Sequence, residues 1–299
     1  LSFIIEQQAG MSFTQFVQQE ILDPLAMTRA VYTQQGLDED PDNNVMTGYR
    51  FTSDGEKRAA KESDLPIGGY FPPRGGLYAS MNNMLNYAQC LLNRGEYNGV
   101  QLLSSESIDS LFTGLISMPY GESSNPQYAL GWCIESPSEQ TPYTVIQHAG
   151  GMGTSQSFLL LVPELQLAVV AAENASTGIT PLAARTMLAL AMDQVPEKVI
   201  DELRISKVLD DVLGTYKSAY DLYEFKLSLQ GNVLQADVKT DDGTFSFPVL
   251  INDLASLTFK AYSMNVGDPN NRGKIQFHRN KDSPRIEFVS YDRYLYRRI

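Results

Sequence analysis

One short segment holds most of the residues that could do chemistry. Residues 147–153, QHAGGMG, place His148 beside Gly150, Gly151 and Gly153, and the chain has only two histidines. An imidazole titrates near neutral pH, and a glycine lets another molecule approach the backbone closely. The same pattern is typical of a glycine-rich bend between strands with a solvated histidine beside it. The segment by itself leaves both interpretations open.

The other reactive side chains indicate neither metal nor disulfide chemistry. Cys90 and Cys133 are too few for a disulfide framework, and neither has a second Cys or His at metal-ligand spacing. We therefore interpret both as buried small hydrophobic side chains and expect no metal and no cofactor. His278 lies on an alternating strand pattern, opposite in phase to Phe277, so we interpret it as solvated.

The charge distribution indicates two different units and excludes some partners. Residues 1–206 contain 10 basic and 23 acidic side chains, net −13, whereas residues 207–299 contain 13 basic and 12 acidic ones, net +1. Nucleic-acid binding needs clustered Lys and Arg, so we expect no nucleic-acid partner. No apolar run reaches the length of about 18 residues that a membrane span requires, so we expect no membrane span.

Helices in the first part are marked by caps. Ser12 and Gln15 form a capping box, with Met11 and Phe16 at the positions of a hydrophobic staple, which predicts a helix over about 13–22. Ser80 caps a second helix that Gly95 closes. We expect a further helix from Thr180, as N-cap, to about 192.

The later part of the sequence is typical of strands. The segments QSFLLLVP and LQLAVVAAEN are almost continuously apolar, which predicts sheet strands covered on both faces. After about residue 205, alternating runs separated by turn residues predict an antiparallel barrel of eight strands. We place these strands at 214–220, 223–229, 233–239, 244–250, 256–262, 274–279, 285–290 and 293–298.

Five blocks in order resemble the serine β-lactamase and penicillin-binding-protein superfamily, in its class C-like esterase and D-peptidase branch. They are LSFIIEQQAGMSFTQFVQQEILDPLAM, PPRGGLYASMNNMLNYAQCLL, YALGW, QHAGGMG and FLLLVPELQLAVVAAEN. The resemblance implies an α+β protein with a β-lactamase-like α/β sandwich domain over residues 1–200. Residues 207–299 resemble the lipocalin-like C-terminal barrel of archaeal self-compartmentalising serine peptidases of this family, which implies a homo-oligomer formed through the barrel.

The resemblance also implies a site. HAGG resembles the edge-strand motif where other members have Lys-Thr-Gly, so Gly151 is the expected backbone N–H donor to an oxyanion and His148 is expected to project into the cleft. Ala149 and Gly150 are then expected to contact the substrate, as is Gly76 of GGLYAS. Trp132 of YALGW either packs in the core or forms part of the wall of the site that faces the substrate, and the sequence leaves both interpretations open.

The residues that would act as nucleophile in this family are absent from the sequence. No Ser is followed three positions later by Lys, and no Tyr-x-Asn occurs. We therefore expect this chain to be the C-terminal two-thirds of a serine hydrolase, N-terminally incomplete in its first domain and inactive by itself. A site completed by a separate N-terminal polypeptide is also open.

Two functions follow as hypotheses. The first is a serine hydrolase, a peptidase or esterase that cleaves small peptides, D-amino-acid peptides or β-lactam-like amides through an acyl-serine. The competing hypothesis is a non-catalytic fragment or degenerate relative that binds a partner or ligand.

Overall fold

The computed structural model of the protein describes residues 1–52, 54–61, 64, 72–118, 126–138, 141–231, 233–262, 273–280 and 285–299. They form two compact units, Leu1–Val199 and Ile200–Ile299. No helix among these residues is long and apolar enough to cross a membrane.

The first unit combines short helices with one larger sheet. Its helices are α1 Ser2–Ala9, α2 Phe13–Val17, α3 Gln34–Asp38, α4 Pro72–Gly75, α5 Met81–Leu92, α6 Ser105–Leu111, α7 Thr180–Ala191 and α8 Pro196–Val199. The capping box is confirmed, because the Ser12 hydroxyl accepts from the Gln15 backbone N–H and the Gln15 side chain accepts from the Ser12 backbone N–H. A π-helical turn over Gln18–Leu22 carries this helix to the predicted end.

The strands of the first unit form a six-stranded antiparallel sheet and three short pairs. In chain order they are β1 Ala30–Val31, β2 Tyr49–Phe51, β3 Lys57–Ala59, β4 Tyr78–Ala79, β5 Glu96–Tyr97, β6 Val100–Gln101, β7 Ile116–Ser117, β8 Gln127–Tyr128, β9 Cys133–Glu135, β10 Val145–Gly151, β11 Gln156–Val162 and β12 Leu167–Glu173. The large sheet has the order β12-β11-β10-β9-β8-β7.

Apolar side chains cover both faces of this sheet, as the continuous apolar runs predicted. On one face Ile146 and Leu161 pack with Leu91 of α5. On the other face Leu160 packs with Ala184 and Leu188 of α7. The two helices therefore sandwich the long strands and fix the position of β10. One cap is different from the prediction: α7 already begins at Thr180, so Ile179 is its N-cap and no side chain caps it.

The second unit is a helix followed by a closed barrel, which confirms the predicted eight-stranded architecture. Its elements are α9 Asp201–Val212, β13 Gly214–Ser218, β14 Glu224–Gln230, β15 Val233–Thr240, β16 Gly243–Asp253, β17 Thr258–Ala261, β18 Lys274–Arg279, β19 Ile286–Tyr291 and β20 Tyr294–Arg298. Each strand pairs with its neighbour in the chain, and β20 closes on β13.

Large aromatic side chains fill the barrel. The rings of Tyr216, Phe225, Phe259, Phe277 and Tyr296 are all almost completely buried. The Tyr216 hydroxyl donates to the Val212 carbonyl oxygen at 2.7 Å, so the buried group is satisfied, and burial raises the pKa of Tyr216 to about 12. An interior packed in this way holds side chains rather than a ligand.

Candidate active site

The predicted site residues of QHAGGMG lie at the end of β10. The strand begins buried and becomes exposed from His148 to Gly151. β11 pairs with it along its length to Gly151, whereas β9 pairs only with Val145, Ile146 and Gln147. His148 is therefore the first residue of β10 that lies beyond the β9 pairing.

The hairpin after β10 determines which way the backbone groups of Gly151 point. The Met152 N–H donates to the Ser155 carbonyl oxygen at 3.0 Å, so Met152 faces β11. N–H and C=O groups of successive residues in a strand point to opposite edges. Gly151 and Ala149 therefore direct their N–H and C=O groups away from β11, toward the edge where the β9 pairing has ended. Among the described strands, none occupies that edge beside them.

This open edge has the properties that a site for an oxyanion needs. An amide N–H that is not used by a neighbouring strand is free to donate to a developing negative charge. A Cβ atom added to Gly151 would make only an ordinary van der Waals contact, at 3.6 Å from Cγ of Gln156. The role of Gly151 as oxyanion donor stays a prediction that this geometry accommodates.

His148 is held at the same edge by two hydrogen bonds. Its Nδ1 lies 2.7 Å from the Ala149 carbonyl oxygen, and its Nε2 lies 3.1 Å from the Tyr128 hydroxyl. The Tyr128 and His148 rings pack edge to face, with centroids 6.1 Å apart. His148 is thus a fixed side chain at an exposed strand end, rather than a freely solvated one.

Tyr128 is the residue of this site that sequence reasoning missed. It is the last residue of β8 and pairs with Cys133, which in turn pairs with Gln147, so the sheet register brings it next to His148. The only sequence signal is its position at the start of YALGW, where Gly131, at φ 88°, allows the tight turn into β9.

The structure places the remaining predicted residues differently. Trp132 is buried and packs edge to face against Phe112 at 5.8 Å, so its indole belongs to the core under the sheet. Gly76 is buried between α4 and β4, and β4 pairs with β1 instead of the large sheet. Contacts of Trp132 and Gly76 with a substrate stay predictions.

Beside the exposed end of β10 lies a polar network. Gln147 is buried and donates from its side chain to Glu135, and Arg185 of α7 forms a double hydrogen bond with the same carboxylate, one arm at 2.5 Å. This network ties β9 and β10 to α7. It anchors the strand at the residue immediately before the exposed segment.

Neither cysteine is a suitable nucleophile. Burial raises the pKa of the Cys90 thiol, and burial with the nearby Glu135 carboxylate raises that of Cys133. A thiol with a raised pKa is protonated at neutral pH and is a poor nucleophile.

In the part of the chain that the structure describes, no cluster of three His, Cys, Asp or Glu side chains could hold a metal. His278, far along the chain, bonds to the Ser290 hydroxyl at 2.9 Å.

Two family models match the chain. Residues 1–193 match the Beta-lactamase family, and residues 196–297 match the Pab87 octamerisation domain. No curated protein matches the chain significantly.

Solved structures share the fold. The octameric penicillin-binding protein homologue from Pyrococcus abyssi is 23% identical, with a TM-score of 0.78 over 99% of this chain. This chain covers 62% of that protein's length. Two other structures are more distant. A structure described as SurE is 17% identical, with a TM-score of 0.48 over 100% of this chain and 66% of that chain. A class C beta-lactamase is 14% identical, with a TM-score of 0.46 over 63% of this chain and 54% of that chain. The likeness to the Pyrococcus protein confirms the β-lactamase-like α/β fold followed by a barrel, and nothing is argued from the other two.

Proposed function

The chain belongs to the Beta-lactamase family, and on that basis we propose that it carries the edge-strand part of a serine hydrolase site. The hydrolase cleaves an amide or ester through an acyl-serine. The observation that supports this most is the open edge of β10, where the Gly151 N–H points outward next to the fixed ring of His148.

The proposed roles follow from the geometry. Gly151 donates its N–H to the oxyanion of the tetrahedral intermediate, and the outward backbone groups of Ala149 pair with the extended part of the substrate, whereas those of Gly150 face β11. His148 acts electrostatically and by position, since its nitrogens are engaged with Ala149 and Tyr128. The substrate class we propose is a small peptide, including D-amino-acid peptides and β-lactam-like amides.

The nucleophile is proposed to come from outside these 299 residues. No Ser-x-x-Lys occurs within them, so the acyl-serine cannot form in the way that the family forms it. Oxyanion donors and binding groups alone leave only a small part of a hydrolase's rate enhancement. We therefore expect no turnover from the 299-residue chain alone, and turnover once a Ser-x-x-Lys segment of the same or another polypeptide joins it.

Labelling with a fluorophosphonate, which acylates active serines, tests this proposal. The intact mass of the protein isolated from its source organism is measured before and after treatment, and the 299-residue chain serves as the matched control. A single adduct on the isolated protein and none on the control supports the proposal. An isolated protein that takes up no adduct contradicts it.

The absence of Ser-x-x-Lys also favours a second candidate, a non-catalytic module that binds a partner. The filled barrel argues against a small ligand inside this unit and leaves its surface as the binding element. We propose that the partner is another copy of the chain, because residues 196–297 match an octamerisation domain. The match of 99% of this chain to an octameric homologue supports the same proposal.

A further inference from the structure

Both ring nitrogens of His148 are engaged, and the Ala149 carbonyl determines which nitrogen carries the hydrogen. A backbone carbonyl can only accept a hydrogen bond, so Nδ1, at 2.7 Å from the Ala149 oxygen, must carry the hydrogen. A neutral imidazole has one N–H, so Nε2 is then an acceptor. The Tyr128 hydroxyl, at 3.1 Å, is therefore the donor to Nε2.

We propose that Tyr128 is a positioning residue of this site, which holds the His148 ring at the place where the Ala149 carbonyl selects the Nδ1–H tautomer. The inference deepens the proposed function and rests on it for its chemical meaning. The carbonyl bond comes from the neighbouring residue of the same strand, whereas the Tyr128 bond comes from β8 across the end of the ladder. Only the second bond ties the ring to another strand and limits its rotation away from the edge.

This arrangement decides what the pair offers to a substrate. Neutral His148 spends its single N–H on Ala149, so it has no donor left for a substrate carboxylate. The Tyr128 hydroxyl donates a hydrogen bond to Nε2, and its oxygen can still accept one. The tyrosine is 39% exposed, so a substrate can reach it. The pair therefore accepts a hydrogen bond from a substrate N–H, as in an amide, in preference to binding an anion.

Nitrogen NMR of the histidine side chains tests the inference on the 299-residue chain. With only two histidines in the sequence, a His278→Gln variant assigns both sets of signals. In the wild-type chain, measured at a pH at which an imidazole is neutral, His148 is expected to show a protonated Nδ1 and a bare Nε2. In Tyr128→Phe, which removes only the hydroxyl, the ring can rotate away from the Ala149 oxygen, so the ratio of the Nδ1–H to the Nε2–H form is expected to fall about two- to tenfold, the effect of one lost hydrogen bond.

A matched control lies in the same spectrum. Ser290→Ala removes the hydroxyl that bonds to His278, and it should shift the His278 signals while leaving those of His148 unchanged. An unchanged His148 ratio in Tyr128→Phe would overturn the inference. So would an Nε2–H form in the wild-type chain, which decides the matter even if the variant fails to fold. Fluorophosphonate labelling is a separate measurement, so a failure of the proposed hydrolase function is distinguishable from a failure here.

Discussion

A Cβ atom added to Gly150 would lie 2.7 Å from Oγ of Ser157, its cross-strand partner on β11. The neighbouring Gly151 has no such contact, since its nearest heavy atom would be 3.6 Å away. The two adjacent glycines of HAGG therefore have different functions in the strand. The first is needed for packing against β11, and the second faces the open edge.

This difference predicts different costs for the same substitution. Gly150→Ala forces Ser157 out of its rotamer, so we expect it to be less stable than Gly151→Ala by about 1 kcal/mol. Denaturant unfolding of both variants measures the difference. Adding Ser157→Ala removes the Oγ atom and should abolish most of it. Equal stabilities of Gly150→Ala and Gly151→Ala would show that the strand accommodates both side chains alike.

The Glu135 carboxylate of β9 anchors β10 at Gln147, the residue before its exposed segment. Its side chain is 17% exposed, and it accepts from Gln147 and from Arg185. Glu135→Ala leaves both partners without this acceptor, so we expect a loss of about 1–2 kcal/mol in the free energy of unfolding.

The exposed pair Arg94–Asp109 provides the control, with 54% and 63% of the side chains accessible. Asp109→Ala should leave the same free energy almost unchanged, because exposed ion pairs contribute little. If both substitutions have the same small effect, the network of Glu135 does not hold β10.

Much of the fold could be predicted from local sequence. The capping box at Ser12 and the cap at Ser80 act over three or four residues, so sequence alone identifies them. Turn residues separate the barrel strands in the sequence, and each strand pairs with the next in the chain, so their order needs no long-range information. The predicted strand ranges agree with the observed ones to within a few residues at most ends.

The site was less accessible to sequence reasoning. The contact between Tyr128 and His148 depends on the register of three strands, and the two residues are 20 positions apart. The outward direction of the Gly151 N–H depends on which residue closes the β10–β11 hairpin. Both are consequences of pairing, which residue types and spacing do not encode locally.

The stability of the first unit should depend on pH through Asp40. The Asn44 backbone N–H and the Arg29 guanidinium both donate to this carboxylate and hold its pKa below the usual range. A depressed folded-state pKa stabilises the fold above the unfolded value of about 3.9, and this contribution is lost as the pH falls through the folded value.

Asp40→Asn removes the charge that titrates. We expect its thermal midpoint to lie below that of the wild-type chain at neutral pH, and the gap between the two to close as the pH is lowered toward about 2. Thermal unfolding across this pH range checks the prediction. A gap that stays constant with pH would assign the stabilisation to packing rather than to the charge.

The proposed assembly gives a direct mass prediction. A chain of 33.2 kDa that associates through its second unit should have a native mass that is a multiple of this value. Light scattering after size exclusion, at two or more protein concentrations, distinguishes a stable oligomer from a weak one. A mass of 33.2 kDa at every concentration would contradict the proposed homo-oligomer.

The oxyanion role of Gly151 can be tested by removing a single hydrogen-bond donor, its backbone N–H. Gly151→Pro deletes the backbone N–H, and because that N–H faces the open edge, no ladder hydrogen bond to β11 is lost with it. Gly151→Ala keeps the N–H and adds a Cβ atom that the structure accommodates. When the proposed Ser-x-x-Lys segment joins the chain, Gly151→Pro should lower the rate of fluorophosphonate labelling about 10²- to 10³-fold, the usual effect of one lost oxyanion donor. Gly151→Ala should label within a few-fold of the wild-type rate. If the two variants slow labelling equally, the N–H of Gly151 does not stabilise the oxyanion, and bulk at this edge accounts for the loss.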